Sequence, residues 1–226
     1  MNILHVSCSP RGHAAESYRL SRKIVDCLLE NEPTATVLDR VVGNGSLPPI
    51  DEDYAISQGA LADVSQEGSA AVSDELIREL EDADVVVIGT PMHNFTVPAA
   101  LKLWIDHVVR VRRTFNVSPE GKVGLLRDRP VFVAVASGGR FSGERTRQPD
   151  FLTPYLKAIL GMTGLHDLTF FTVQGTAFGP DAVAGTRTVT EQMLQDYFSR
   201  ERRRQLSTNA ASRASDASHC AEIRSI

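Results

Sequence analysis

An α/β fold, a doubly wound five-stranded parallel sheet with helices on both faces, is predicted by three features of the sequence. Short apolar runs alternate with segments of helical periodicity along the chain. One run, Asp84-Val85-Val86-Val87-Ile88-Gly89-Thr90, is almost wholly β-branched, as a parallel strand is when both its faces are covered. The 226 residues suffice for one sizeable core.

The elements follow in order. Ile3-Leu4-His5-Val6 is a short buried strand that breaks into a loop of small and polar residues, Ser7 to Ser17. A helix from about Ser17 to Asn31 carries Leu20, Ile24, Cys27 and Leu28 on one face, and Pro33 marks its stop. Ala35 to Val42 reads as the second strand. Gly43-Asn44-Gly45-Ser46-Leu47-Pro48-Pro49 is a loop signal, and weak periodicity from there to about Gly68 predicts a long loop. Ser73-Asp74-Glu75 predicts a helix N-terminus leading into Leu76, Ile77 and Leu80.

After the Val-rich strand, Pro98 suits the first turn of a helix whose stripe is Leu101, Trp104, Ile105 and Val108. Leu103, Val109 and Val111 fall off that stripe, a surplus that predicts a second buried face such as a subunit interface. The segment Arg110 to Asp128 is basic and irregular. Val131 to Ala136 is the fourth strand. Asp150 can cap a helix carrying Leu152, Tyr155, Leu156 and Ile159, with Gly161 and Gly164 at its end. Leu168 to Val173 is the fifth strand. The last helix carries Val183, Val189, Met193, Leu194 and Tyr197, and Arg200-Glu201-Arg202-Arg203-Arg204 suits its C-terminus. The composition of residues 207–226 predicts a disordered tail, leaving residues 1–206 as the domain.

A net charge of −4, with basic and acidic residues mixed, gives no support for nucleic acid or anionic membrane as partners. No apolar run approaches the roughly 18–20 residues of a membrane span. Three cysteines, Cys8, Cys27 and Cys220, are too few and too far apart for a disulfide framework or a metal site. With no signal-peptide pattern at the N-terminus, a cytoplasmic protein is expected.

The loop after the first strand carries the first functional signal. A strand feeding a hydroxyl-rich loop into a helix N-terminus aims free N–H groups and the positive end of the helix dipole at one point, which suits a phosphate. Ser9 and Ser17 can add hydroxyls, and Arg11 charge. The loop lacks both G-x-x-x-x-G-K-[ST] and G-x-G-x-x-G. Position 14 is Ala14, so Cys8 has no arginine to make a cysteine phosphatase. A loop that holds a phosphate without reacting with it is what remains, beside the plainer reading of a capped turn with no ligand.

In an open α/β sheet, ligands sit outside the carboxyl ends of the strands where the strand order switches. That rule selects Ser7–Ser17, Thr90–Pro98 and Ser137–Gly143. The second loop, Met92-His93-Asn94-Phe95, offers backbone donors and a flat apolar wall; the third offers Ser137 and two glycines that admit a ligand closely. A phosphate at one end and a planar polar ring at the other describe flavin mononucleotide (FMN).

Four stretches then match one family: Pro91-Met92-x-Asn94-Phe95 after a Val-rich strand, the Ser9…Ser17 loop, Ser137-Gly138-Gly139, and Thr153-Pro154-Tyr155-Leu156. From about Asn2 to Phe198 the chain resembles the FMN-dependent NADH azoreductases, also described as FMN-dependent NADH:quinone oxidoreductases, of flavodoxin-like fold. The resemblance implies ping-pong two-electron transfer from NADH or NADPH through FMN to quinones or azo compounds, in a homodimer. It implies that Ser9, Ala15, Glu16 and Ser17 hold the FMN phosphate. Met92, His93, Asn94 and Phe95 would line the ring, and Ser137, Gly138, Gly139 and Arg140 would close the other side.

Two departures from the family pattern stand out. His93 stands where a tyrosine is usual, and Ala15-Glu16 where polar donors are common, so weaker FMN binding is expected. His93 can be read as a wall residue or as a proton relay to the reduced acceptor; no residue is required as a nucleophile. An electron carrier, an NAD(P)H-dependent FMN reductase and a binding module that has lost FMN are the competing functions.

Overall fold

The computed structural model describes residues 1–59 and 68–223. Its central sheet has five parallel strands: β1 (Asn2–Ser7), β2 (Thr36–Val41), β3 (Val85–Pro91), β6 (Val131–Ser137) and β7 (Leu168–Gln174), in the order β2-β1-β3-β6-β7. The numbering leaves room for a separate hairpin, β4 (Phe115–Ser118) and β5 (Gly121–Gly124). The helices are α1 (Glu16–Asn31), α2 (Glu52–Gly59), α3 (Gly68–Asp82), α4 (Ala99–Val108), α5 (Leu152–Thr163) and α6 (Pro180–Ile223). The sheet and its doubly wound helices are those the sequence predicts.

The β-branched strands are explained by two cores. Along β3, Val86 and Ile88 face a cluster with Leu76, Leu80, Leu101, Trp104, Leu156 and Leu160, from α3, α4 and α5. Val85 and Val87 face the other side, among Leu20, Ile24, Leu194 and Phe198 from α1 and α6. β6 alternates likewise, with Val131, Val133 and Val135 on the first side and Phe132 and Ala134 on the second. A strand buried on both faces has no polar face to show, so the alternation of an amphipathic strand is absent.

Four local expectations are corrected. Part of the expected loop after Pro49 is helical, as α2, and residues 60–67 of it lie outside the described residues. α3 begins at Gly68, so Ser73 and Asp74 lie inside the helix rather than capping it. The Ser73 hydroxyl donates to the His107 carbonyl at 2.6 Å, and Asp74 receives Arg110 (2.9 Å) and Arg113. The basic segment is also ordered: it contains the β4–β5 hairpin, and Arg129 donates to the Leu80 (2.6 Å), Glu81 (3.0 Å) and Ala83 carbonyls at the end of α3. Finally, α6 does not end at Arg200–Arg204. Its backbone runs to Ile223, so those arginines sit mid-helix, Arg202 on Asn31 at 2.7 Å, and the dipole argument for them fails. Residues 224–226 lie outside the described residues.

The caps of α5 match the sequence. The Asp150 carboxylate accepts the Leu152 and Thr153 N–H groups at 3.0 and 2.9 Å, and Gly164 ends the helix at φ 107°. Trp104 is core, 1% exposed.

His5 ties β1 to its surroundings from a nearly inaccessible position. Its Nδ1 lies 2.6 Å from Asp39 Oδ1 and its Nε2 2.8 Å from Ser21 Oγ. A carboxylate can only accept, so Nδ1 carries the proton; the single Ser21 hydroxyl hydrogen lies within reach of both Nε2 and the Tyr18 carbonyl, the latter at 3.0 Å. Burial lowers the His5 pKa and outweighs the opposing pull of Asp39. The folded state thus holds a neutral ring while the unfolded chain protonates near the ordinary value of 6.5. Stability from this group is full above that value and is lost as pH falls toward the folded-state pKa. Urea denaturation is therefore expected to show a lower midpoint at pH 5.5 than at pH 7.5. In a His5→Asn variant that difference shrinks although the variant is less stable at both.

Candidate functional site

The strand order reverses between β1 and β3, and the loops leaving their carboxyl ends part there to form a crevice. The Cys8 N–H donates to the Gly89 carbonyl at 2.9 Å, pinning the first loop to β3. A Cβ on Gly43 would run into the Ser9 carbonyl, so the loop after β2 closes on it only as glycine. Ser9 is 3% exposed, and its Oγ accepts the Arg11 N–H at 3.3 Å. A 3-10 turn, Gly12–Ala14, then leads to Ala15, which is extended (φ −81°, ψ 142°) and is the N-cap of α1.

An alanine cap offers no side-chain acceptor, so the first N–H groups of α1 have neither an intrahelical partner nor a cap. Beside them the Ser17 hydroxyl is buried and has no partner. A buried hydroxyl without a bond costs roughly 1–3 kcal/mol. Both features suit an anion placed at the helix end.

The second loop is a tight hairpin. His93 and Thr96 exchange N–H···O bonds of 3.0 Å, enclosing Asn94 (φ 49°) and Phe95 (φ 69°). Positive φ at both central residues marks a primed turn, which Asn tolerates and Phe does not. Strain on the order of 1 kcal/mol or more at Phe95 is held in place by its surroundings, including the Phe151 N–H, which donates to the Phe95 carbonyl at 3.0 Å. In the third loop, Gln148 Nε2 donates to Ser137 Oγ at 3.1 Å and lies 3.1 Å from Met92 Sδ. Ser137, 2% exposed, is thereby committed to bracing Met92.

These loops enclose a cavity of about 560 Å³, within the range of small-ligand sites. Of the residues expected there, Ser9, Ala15, Glu16, Ser17, Met92, His93 and Gly138 line it, together with Arg11. Asn94 and Phe95 form the tip of their turn and do not line it; Ser137 stands behind Met92, and Gly139 packs under Gln148. Arg140 lines a neighbouring groove with Gln174 and Asp181. None of the arginines from Arg110 to Arg127 lines the cavity.

One wall was not expected. The loop after β7 brings Thr176 and Gly179, and α6 brings Val183 and Arg187. It is fastened to the third loop by the Gly175, Thr176 and Ala177 N–H groups, which donate to the Gly139, Ser137 and Gly138 carbonyls at 3.0–3.2 Å. The rule that chose the other loops applies to every strand end, and Gly175…Gly179-Pro180 after the fifth strand was the available sign.

The acidic residue at the start of α1 is paired. The Glu16 carboxylate receives Arg187 through Nε (2.9 Å) and Nη2, and Arg19 through Nε at 3.3 Å. The bond from Arg187, foremost, lowers the Glu16 pKa below the ordinary carboxylate value. Among the described residues no cluster of His, Cys, Asp and Glu could hold a metal ion, and no helix is long and apolar enough to cross a membrane.

A doubly wound sheet with an uncapped helix end and a cavity at its switch point defines an α/β protein with a ligand cavity suited to an anion. The model of the flavodoxin-like fold family matches residues 1–197, and the chain belongs to that family. Within it the chain groups with the FMN-dependent NADH:quinone oxidoreductases. It is 50% identical over 187 residues to FMN-dependent NADH:quinone oxidoreductase 4 of Pseudomonas fluorescens, covering 82% of this chain and 89% of that one. It is 49% identical over 183 residues to FMN-dependent NADH:quinone oxidoreductase 5 of Burkholderia lata, covering 81% and 88%. Among solved structures, the azoreductase from Bacillus anthracis strain Sterne superposes with a TM-score of 0.76 at 26% identity, over 88% of this chain and 98% of that one.

The unpartnered Ser17 hydroxyl gives a direct check on this geometry. Ser17→Ala removes no hydrogen bond of the ligand-free protein, so its melting temperature is expected to equal or exceed the parent's, where loss of a bonded buried hydroxyl would cost about 1 kcal/mol. Binding of a phosphorylated ligand is expected to weaken in the same variant, as isothermal titration would show.

Proposed function

We propose that this protein is an FMN-dependent NADH:quinone oxidoreductase with azoreductase activity, acting as a homodimer in the cytoplasm. The observation that carries the reading is the uncapped start of α1 with the buried, unbonded Ser17 hydroxyl, at a cavity also lined by Met92, His93 and Gly138. Bound there, FMN would supply the redox chemistry, a two-electron transfer from NADH or NADPH to a quinone or an azo compound.

Ser9, Ser17 and the backbone N–H groups after Ala15 would hold the phosphate. Met92, braced by Ser137 and Gln148, would set the plane of the ring with His93 and Gly138 at its edges. Asn94 and Phe95 would act through the strained turn that fixes His93, and through a partner subunit or acceptor laid across the rim. Gly139 would admit Gln148, and Arg140 would stay outside. Residues 1–206 would be the flavin-binding unit. For the dimer, the support is half-buried Leu103 on α4 and Val109 at its end, with exposed Phe95 and Phe151 joined by a backbone hydrogen bond.

The test is spectroscopic. Protein incubated with FMN and desalted is expected to be yellow, to bleach on anaerobic addition of NADH and to recolour with a quinone. Colour that persists with NADH would indicate an electron carrier, and colourless protein a module without flavin. His93 is read as a wall residue, so His93→Phe is expected to keep the parent's dependence of kcat on pH. A profile that loses one of its limbs in this variant would make His93 the proton relay.

A further inference from the structure

We propose that Arg187, carried on α6, is the cation that selects the phosphate at this site, and that Glu16 holds it in position. This rests on the FMN reading above and adds to it the residue that distinguishes a phosphorylated flavin from a bare one. Both side chains line the cavity, next to the unpartnered Ser17 hydroxyl. On its own, a carboxylate at the first position of α1 would repel a phosphate dianion bound at the same helix end. Here that carboxylate is occupied: Arg187 meets both its oxygens, and Arg19 takes a third bond.

The pairing uses Nε and Nη2 of Arg187, and a guanidinium has five N–H donors in a fixed fork. Nη1 and the outer Nη2 hydrogen therefore remain to meet an anion. The chain of pairs continues from Arg19 to Glu191 (2.6 Å) and from Glu191 to Lys23 (2.8 Å). Three cations face two carboxylates, so the network that carries Arg187 is positive beside the phosphate end of the cavity. Its members come from α1 and α6, so the distant C-terminal helix contributes to a site that begins at residue 9. The expected loss of affinity from the acidic residue at position 16 is offset by a partner that local sequence does not contain.

The test separates phosphate recognition from a mere strut between α1 and α6. FMN and riboflavin are titrated separately into flavin-free parent, Arg187→Met, and Glu16→Gln/Arg187→Met, following flavin fluorescence, with a thermal melt of each protein. Arg187→Met is expected to weaken FMN at least tenfold and riboflavin less than twofold, because only FMN loses a partner and meets an exposed carboxylate. The double variant is expected to regain part of the FMN affinity, since the repelling charge has gone. If Arg187→Met weakens both flavins by the same factor, or neither, the pair is only structural and the proposal falls. A parent that binds neither flavin overturns the FMN reading itself.

Discussion

The reversal of strand order between β1 and β3 is the constraint on which the rest depends. Parallel neighbours on either side of that line send their connections to opposite sides, and the loops above them cannot close over one another. The register of β1 with β3, Ile3 opposite Val85 through Ser7 opposite Gly89, sets the height at which both loops leave the sheet. Cys8 and Met92 carry the pairing one step further, to the Gly89 and Ala136 carbonyls. The crevice floor is thus an extension of the sheet's own hydrogen bonding, and the groups along its walls inherit that rigidity.

The burial that fixes those strands also limits what can pass beneath the site. Gly89 lies over α1 so closely that a Cβ there would come 2.5 Å from Ser21 Oγ. Ser21 in turn bonds His5, whose ring is neutral because the core offers it no solvent. The polar groups nearest the crevice floor are therefore inert: Cys8 is fully buried and its thiol pKa is raised by that burial, so it is no thiolate nucleophile. Reactivity at this rim has to come from something bound, not from the side chains beneath it.

Much of this is legible in the sequence because it is local. The β-branched run of β3, the loop between Val6 and Ser17, and the caps of α5 depend on neighbours a few residues away, and pattern reading finds them. What was missed is contact across the chain. α2 and the β4–β5 hairpin have weak patterns of their own and are ordered against the rest, Tyr54 donating to the Asp106 carbonyl at 3.2 Å and Leu126 to the Thr163 carbonyl at 3.0 Å. Ser137 reads as a ligand donor until Gln148 is seen to engage it, and Glu16 reads as an intrusion until Arg187, 171 residues on, is seen to hold it.

The site is also where the molecule leaves local preferences unmet. A serine or aspartate in place of Ala15 would cap α1 and stabilise it by about 1 kcal/mol. The Ser17 hydroxyl is left without a partner, and a glycine at Phe95 would relieve its turn. All three departures lie at one rim of a sheet whose strands are otherwise satisfied and packed on both faces. An aspartate cap would fill the helix end with the wrong charge for a phosphate. The unfilled cap is therefore compatible with anion binding in a way that an aspartate cap is not. That relation ties the site's chemistry to its sequence more closely than the match of any single motif.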